Sequence, residues 1–187
     1  STVNPFTVQE LSEALQGSQI PVMVKNPVNP DLKLWLGAIE RLERHGIQVL
    51  GAIHRGFSVY EKTNYRNNPH WQIAIDLKQE RPALQLVMDP SHIGGRANLI
   101  QPLAQQALDL NYDGLMIESH IDPTAAWTDA KQQITPEALK EIFAGLEPRN
   151  PAAKQANALA QFREQLSFID ESLINLLQQR MLISKEI

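Results

Sequence analysis

Four short apolar runs stand at residues 20–24, 49–53, 84–88 and 114–117. Each is continuous instead of alternating, the pattern of parallel strands covered on both faces. Segments with helical spacing lie between and after them. Residues 31–45 open at Asn29-Pro30-Asp31 and stop at His45-Gly46, a good start and a good stop. Residues 69–80 open with Pro69 and carry Trp71, Ile73, Ile75 and Leu77. Residues 97–110 carry an amphipathic stripe of Leu99, Ile100, Leu103, Ala104 and Leu108. Thr135-Pro136-Glu137 is a cap followed by proline in the first turn, and it opens a helix to about Ala144.

Strand and helix alternate at roughly 25 to 37 residues per unit, which predicts parallel βα repeats with the helices outside. Four such units make an α/β domain equal to half of an eight-fold barrel. A free-standing four-stranded α/β sheet is the alternative. Glu147-Pro148-Arg149-Asn150-Pro151 brackets a polar pair with prolines and reads as a linker. The expected organisation is a βα unit over 1–146, a linker over 147–154 and one long helix of an all-α domain over 155–187. That helix spaces Leu159, Phe162, Leu166, Ile169, Leu173, Leu176, Ile183 and Ile187 three and four apart, a heptad seam interrupted by Arg180. A lone amphipathic helix cannot bury its own seam, so partner helices are expected from elsewhere.

Composition narrows the classes. Of 187 residues, 43% are hydrophobic and 20% charged, as in a soluble, core-forming chain. The net charge of −4, with no basic stripe interleaved with aromatics, argues against nucleic acid. No apolar run reaches the roughly 18 residues of a membrane span, and the first residues lack the basic-then-apolar pattern of a signal peptide. There is no cysteine, which goes with a reducing cytoplasm and leaves His, Asp and Glu as the metal donors here.

Ligand sites of parallel βα folds lie at the carboxyl ends of the strands. The polar residues there are, in order, Lys25, His54-Arg55, Asp89-Pro90-Ser91-His92 and Glu118-Ser119-His120, followed by Asp129. Two chemistries are mixed. Lys25 and Arg55 are cations suited to phosphate or carboxylate. His92, Glu118 and Asp129 are an imidazole and two carboxylates, suited to Mn²⁺, Fe²⁺ or Zn²⁺. Singly, each has a plainer use: a strand-end cation as a salt-bridge partner, a histidine as a hydrogen-bonded structural group, a carboxylate as a helix cap. Their conjunction at successive strand ends favours a site.

The words Val22-Met23-Val24-Lys25-Asn26-Pro27, Gly51-Ala52-Ile53-His54-Arg55-Gly56, Asp89-Pro90-Ser91-His92-Ile93-Gly94-Gly95-Arg96, Gly114-Leu115-Met116-Ile117-Glu118-Ser119-His120 and Asp129-Ala130-Lys131-Gln132-Gln133 stand in that order. Together they resemble the second half of the 3-deoxy-7-phosphoheptulonate synthases, in the shorter branch related to 3-deoxy-octulosonate-8-phosphate synthase. The resemblance implies an eight-fold (β/α)8 barrel that condenses phosphoenolpyruvate with erythrose 4-phosphate and releases phosphate. It implies a divalent metal held by Cys, His, Glu and Asp, with His92, Glu118 and Asp129 at three of those positions. Lys25 and Arg55 fall on phosphoenolpyruvate-holding positions, and Lys25 and His92 are the expected catalytic residues. Gly94-Gly95 and Arg96 border the expected sugar-phosphate subsite; a plain turn is the other reading.

The chain departs from that family in lacking the cysteine ligand and the first half of the barrel with its Lys-Pro-Arg segment. A fragment of a longer polypeptide, inactive alone and needing an N-terminal half-barrel, is therefore expected. Phe162-Arg163-Glu164-Gln165-Leu166 through Ile169-Asp170-Glu171-Ser172-Leu173-Ile174-Asn175-Leu176-Leu177-Gln178-Gln179-Arg180 resembles the first helix of the all-helical chorismate mutases. That resemblance places Arg163 and Arg180 on carboxylate-binding positions for chorismate, with further mutase helices to be supplied. The expectation is a cytoplasmic, homo-oligomeric bifunctional enzyme. A 3-deoxy-octulosonate-8-phosphate synthase-like enzyme and a non-catalytic half-barrel serving assembly or regulation are the rivals.

Overall fold

Pro21 has no N–H to give to a ladder, so the first strand begins one residue after it, at Val22. The computed structural model describes residues 4–148 and 156–185. It divides the chain into two units, Ser1–Pro148 and Arg149–Ile187.

In the first unit β1 (Val22–Lys25), β2 (Val49–His54), β3 (Gln85–Met88) and β4 (Gly114–Leu115) form one sheet in the order β1-β2-β3-β4. Every pair is parallel, which is the sheet the four apolar runs predict. The strands are shorter than those runs. β4 leaves the ladder after Leu115, although Met116 N still donates to Met88 O at 2.7 Å.

The helices follow their caps. α1 (Pro5–Leu15), which the sequence reading did not anticipate, is capped by Asn4, whose side chain accepts from Phe6 N at 3.0 Å. α2 (Leu32–Arg44) is capped by Asp31 and buries Trp35, Ala38, Ile39 and Leu42, a stripe at steps of three, one and three. Trp35 Nε1 donates to Val24 O at 3.1 Å and ties α2 to β1. α3 (Trp71–Glu80) starts two residues later than the proline suggests, because His70 sits in the left-handed region at φ 40° and breaks the entry. The helical stretch at 97–110 is split into a 3₁₀ turn (Ala97–Leu99) and α5 (Ile100–Asp109). A continuous helix would need an N–H from Pro102 to Asn98 O, and proline has none. A further short helix, α4 (Pro90–Gly94), directly follows β3. α6 (Pro136–Ala144) has the expected bounds, with Thr135 Oγ1 accepting from Ala138 N at 3.2 Å.

Pleat alternation sorts the strand residues into two faces. Val24, Ala52 and Leu86 are register neighbours on one face and are buried. Lys25, Ile53 and Val87 are neighbours on the other. Lys25 and Val87 are only half-buried there, so the expected cover on both faces is incomplete. The half-covered face is the one a closed barrel would turn inward.

His54 belongs to the buried face, which separates it from Arg55. Its ring packs with Trp35, Phe57, Trp71 and Tyr112. Nε2 donates to Pro69 O at 2.6 Å, and Nδ1 accepts from the Tyr112 hydroxyl at 2.7 Å, so both ring nitrogens are satisfied by the neutral tautomer. Burial pushes His54 down from 6.5 to about 4 and pushes the Tyr112 phenol up. The folded value lies below the unfolded one, so this contribution is intact above about pH 6.5 and is lost as pH falls toward 4. In urea unfolding at pH 7 and pH 4, the native chain should lose about 3 kcal/mol more over that interval than His54→Gln. Equal pH dependence in the two would contradict it.

The second unit contains α7 (Ala156–Lys185), one uninterrupted helix. Residues 149–155 and Ile187 lie outside the described residues, and the expected linker falls largely among the former. Side chains of the early turns, Arg163 among them, are likewise outside the description. Further along, Leu166, Ile169, Leu173, Leu176 and Ile183 are exposed, and so are Ile174, Leu177, Met181 and Leu182. Arg180, expected within a buried seam, is exposed as well. Among the described residues no helix is long and apolar enough to cross a membrane.

Candidate metal centre

The half-covered face carries the chemistry. Lys25 is the last residue of β1, Arg55 follows β2, and Asp89 follows β3. By the two-residue period, Arg55 and Asp89 share the face of Ile53 and Val87, next to Lys25. Asn26 is fully buried and holds this edge together: its Oδ1 accepts from Arg55 N at 2.6 Å, and its Nδ2 donates to Gly56 O at 2.8 Å. Half-burial lowers Arg55; the charges of Asp89 and Asp129 act the other way, and Arg66 adds to the lowering. A guanidinium remains cationic under such a shift.

Asp89 was seen in the sequence as a strand-end residue but not as a member of the site; the structure makes it the junction. It is 1% exposed. As the N-cap of α4 it accepts from His92 N through Oδ1 at 3.0 Å. Its other oxygen, Oδ2, lies 3.1 Å from Lys25 Nζ and 2.8 Å from His92 Nδ1. The second contact is close but not aligned as a hydrogen bond. Burial acts to raise the Asp89 carboxyl, but the adjacent His92 side chain, the hydrogen bond from His92 N and the charge of Lys25 hold it below the usual carboxylate value.

The pairing of Nδ1 turns His92 Nε2 toward Glu118, whose Oε1 is 3.6 Å away. Glu118 is delivered by the extended segment after β4, and its N–H donates to the buried Ser91 hydroxyl at 3.0 Å. Asp129 adopts φ 54° ahead of the 3₁₀ turn Ala130–Gln132, a left-handed conformation that aspartate tolerates better than most residues. Donor atoms of His92, Glu118 and Asp129 all lie within 4.8 Å of one another. Two donors about 2.1 Å from one ion, at 90–110°, stand about 3 to 3.5 Å apart, so a divalent ion requires only a small closure. An imidazole oriented by a carboxylate on its far nitrogen, plus two carboxylates, fits Mn²⁺, Fe²⁺ or Zn²⁺. The chain has no cysteine to add a fourth ligand.

Two residues outside the set of candidate site residues join the cluster. Arg66 Nη1 donates to Asp129 Oδ1 and to Gln132 Oε1, both at 2.6 Å. Gln132 Nε2 donates to Glu118 Oε2 at 2.7 Å. Arg66 belongs to the irregular segment between β2 and α3, where no periodic signal exists; Gln132 stands inside the Asp129-Ala130-Lys131-Gln132-Gln133 word, which by itself assigns it no role. Arg66, Gly95, Asp129, Ala130, Lys131 and Gln132 line a cleft of about 440 Å³. Arg96 does not join the cluster: it is exposed, and its guanidinium donates to Asn64 O at 2.7 Å.

Residues 6–154 match the sequence profile described as the DAHP synthetase I family. A curated relative, phospho-2-dehydro-3-deoxyheptonate aldolase of Thermotoga maritima, is 30% identical over 122 residues, or 65% of this chain. The chain spans 36% of that relative's length. A crystal structure of phospho-2-dehydro-3-deoxyheptonate aldolase (DAHP synthase) from Thermotoga maritima is similar at TM-score 0.68 and 27% identity, covering 77% of this chain and 42% of that one. A truncated form of 3-deoxy-D-arabino-heptulosonate 7-phosphate synthase from Thermotoga maritima gives the same TM-score of 0.68 and the same 27% identity, covering 85% of this chain and 57% of that one.

Proposed function

Because this chain belongs to the DAHP synthetase I family, we propose that it forms the metal-site part of a 3-deoxy-7-phosphoheptulonate synthase, which condenses phosphoenolpyruvate with erythrose 4-phosphate. The carrying observation is the convergence of His92, Glu118 and Asp129 within 4.8 Å, on the sheet face that also bears Lys25 and Arg55. The half-covered face supports a barrel completed by further strands. A cytoplasmic homo-oligomer goes with this reading.

His92 Nε2 and one oxygen each of Glu118 and Asp129 would hold the ion. When bound, such an ion supplies Lewis-acid polarisation of the sugar-phosphate aldehyde. Arg55, whose backbone N–H is held by Asn26, supplies a guanidinium for the anionic groups of phosphoenolpyruvate. Lys25, set by Asp89 at 3.1 Å, adds a second cation beside it and a proton that can be moved at Nζ. Together they hold carbon 3 of phosphoenolpyruvate for attack on the aldehyde; water adds at carbon 2 and phosphate departs.

The test is phosphate release from phosphoenolpyruvate and erythrose 4-phosphate by the complete natural polypeptide, before and after chelation and metal add-back. Arg55→Met should weaken phosphoenolpyruvate use by roughly tenfold to a hundredfold, 1.4 to 2.8 kcal/mol, with metal content unchanged. Native affinity for phosphoenolpyruvate in that variant would remove Arg55 from the site.

The finer proposal is that α7 opens an all-helical chorismate mutase domain. Besides the sequence pattern, α7 supports it by its apolar arc: at 100° per residue, the described apolar positions from Leu166 to Ile183, Leu182 apart, fall within about half the circumference. That is wider than a two-helix seam and suits a bundle. Arg163 and Arg180 are the proposed carboxylate-binding residues. Assaying the same polypeptide with chorismate tests this part separately.

A further inference from the structure

Glu118 and Asp129 arrive from different parts of the chain, and two ionised carboxylates converging on one point repel each other. Something must hold them before any cation is there. The two hydrogen bonds of Gln132 make that connection. This residue is 1% exposed, receives Arg66 Nη1 on its Oε1, and gives its Nε2 to Glu118 Oε2. An amide held at both ends has only one orientation, because a flip would set donor against donor and acceptor against acceptor. The same Nη1 of Arg66 reaches Asp129 Oδ1. Arg66 itself is tied down: its backbone N–H donates to Ile93 O at 3.0 Å, and a Cβ at Gly95 would overlap its side chain. The segment carrying Arg66 is therefore docked on α4, the helix of His92.

We infer that Arg66 and Gln132 are positioning residues, a clamp that sets Glu118 and Asp129 for a divalent ion while touching neither ion nor substrate. This rests on the metal-site reading above. The clamp takes one oxygen of each carboxylate, Glu118 Oε2 and Asp129 Oδ1, and Glu118 Oε1 is the oxygen that faces His92 Nε2 at 3.6 Å. Two effects oppose each other at Arg66. Its charge repels a dication, whereas its hydrogen bonds orient the ligands and offset carboxylate repulsion in the empty site. An exposed arginine–carboxylate pair contributes little by itself. The buried amide behind this one converts it into a three-residue connection, and losses of outer-shell partners typically lower metal affinity 10- to 100-fold.

The experiment is a Mn²⁺ titration of the complete polypeptide, with free Mn²⁺ read from its EPR signal and the metal-free fold checked by circular dichroism and thermal unfolding. Gln132→Met, neutral and of similar volume, should weaken Mn²⁺ binding 10- to 100-fold. Arg66→Met, at a half-exposed position where folding is less at risk, should weaken it about tenfold, and the double variant should lose no more than the worse single one, as parts of one clamp do. Affinity within twofold of native for a folded Gln132→Met, or tighter binding by Arg66→Met, overturns the inference. His92→Ala in the same titration separates the layers: native affinity there would sink the metal site itself, whereas its loss beside an unaffected Gln132→Met would sink only the clamp.

Discussion

Replacing His92 by alanine should lower divalent-metal affinity at least a hundredfold, about 3 kcal/mol, and abolish condensation of phosphoenolpyruvate with erythrose 4-phosphate. His92 is the one nitrogen donor of the cluster, and the remaining pair of carboxylates would bind a hard cation weakly and without selectivity. The fold should survive. His92 is 17% exposed, and its backbone N–H, which donates to Asp89, is untouched by the substitution. Equilibrium dialysis against Mn²⁺ measures the affinity, and thermal unfolding of the metal-free protein checks the fold. Retained metal content with retained activity would remove His92 from the site.

Asp89→Asn should produce the second large effect, on two functions at once. The substitution keeps the shape and the acceptor for His92 N. It removes the negative charge shared by Lys25 at 3.1 Å and His92 at 2.8 Å. Lys25 then loses this partner, and the imidazole loses the carboxylate that orients it. A tenfold to hundredfold loss of metal affinity is expected together with a weakened response to phosphoenolpyruvate. A stability cost of about 2 kcal/mol should accompany it, since an amide cannot neutralise the partly buried Lys25. The sign with pH is fixed by Asp89 lying below its unfolded value of 3.8: its contribution is present above that value and fades as pH falls through the lower, folded one. Native and variant should therefore converge in stability as the solution is acidified. A variant altering metal affinity but not phosphoenolpyruvate use would show that Asp89 serves His92 alone.

How far the sequence carried depended on whether the signal was local. The starts of α2 and α6 were legible because Asp31 and Thr135 bond to N–H groups three residues on. α1 has the same kind of start, Asn4 before Pro5, but buries only Val8 and Ser12, so no apolar stripe announced it. The split at Pro102 and the late start of α3 both come from single residues that override a periodic pattern. The site divides the same way. Lys25, Arg55, His92, Glu118 and Asp129 were found because parallel strands put their polar ends on one side, a rule of topology that needs no coordinates. Arg66 lies 63 residues from Asp129 in an irregular segment, and only the fold brings its guanidinium within 2.6 Å. His54 and Arg55 are adjacent in sequence yet opposite in role, since the pleat sends one under the helices and the other to the site.

The most direct measurement is anomalous diffraction from crystals of the complete polypeptide soaked in Mn²⁺. A peak is expected about 2.0 to 2.3 Å from His92 Nε2, a Glu118 oxygen and an Asp129 oxygen together. A peak bound elsewhere, or no peak beside His92 under conditions where the protein is active, would contradict the metal centre and with it the proposed chemistry.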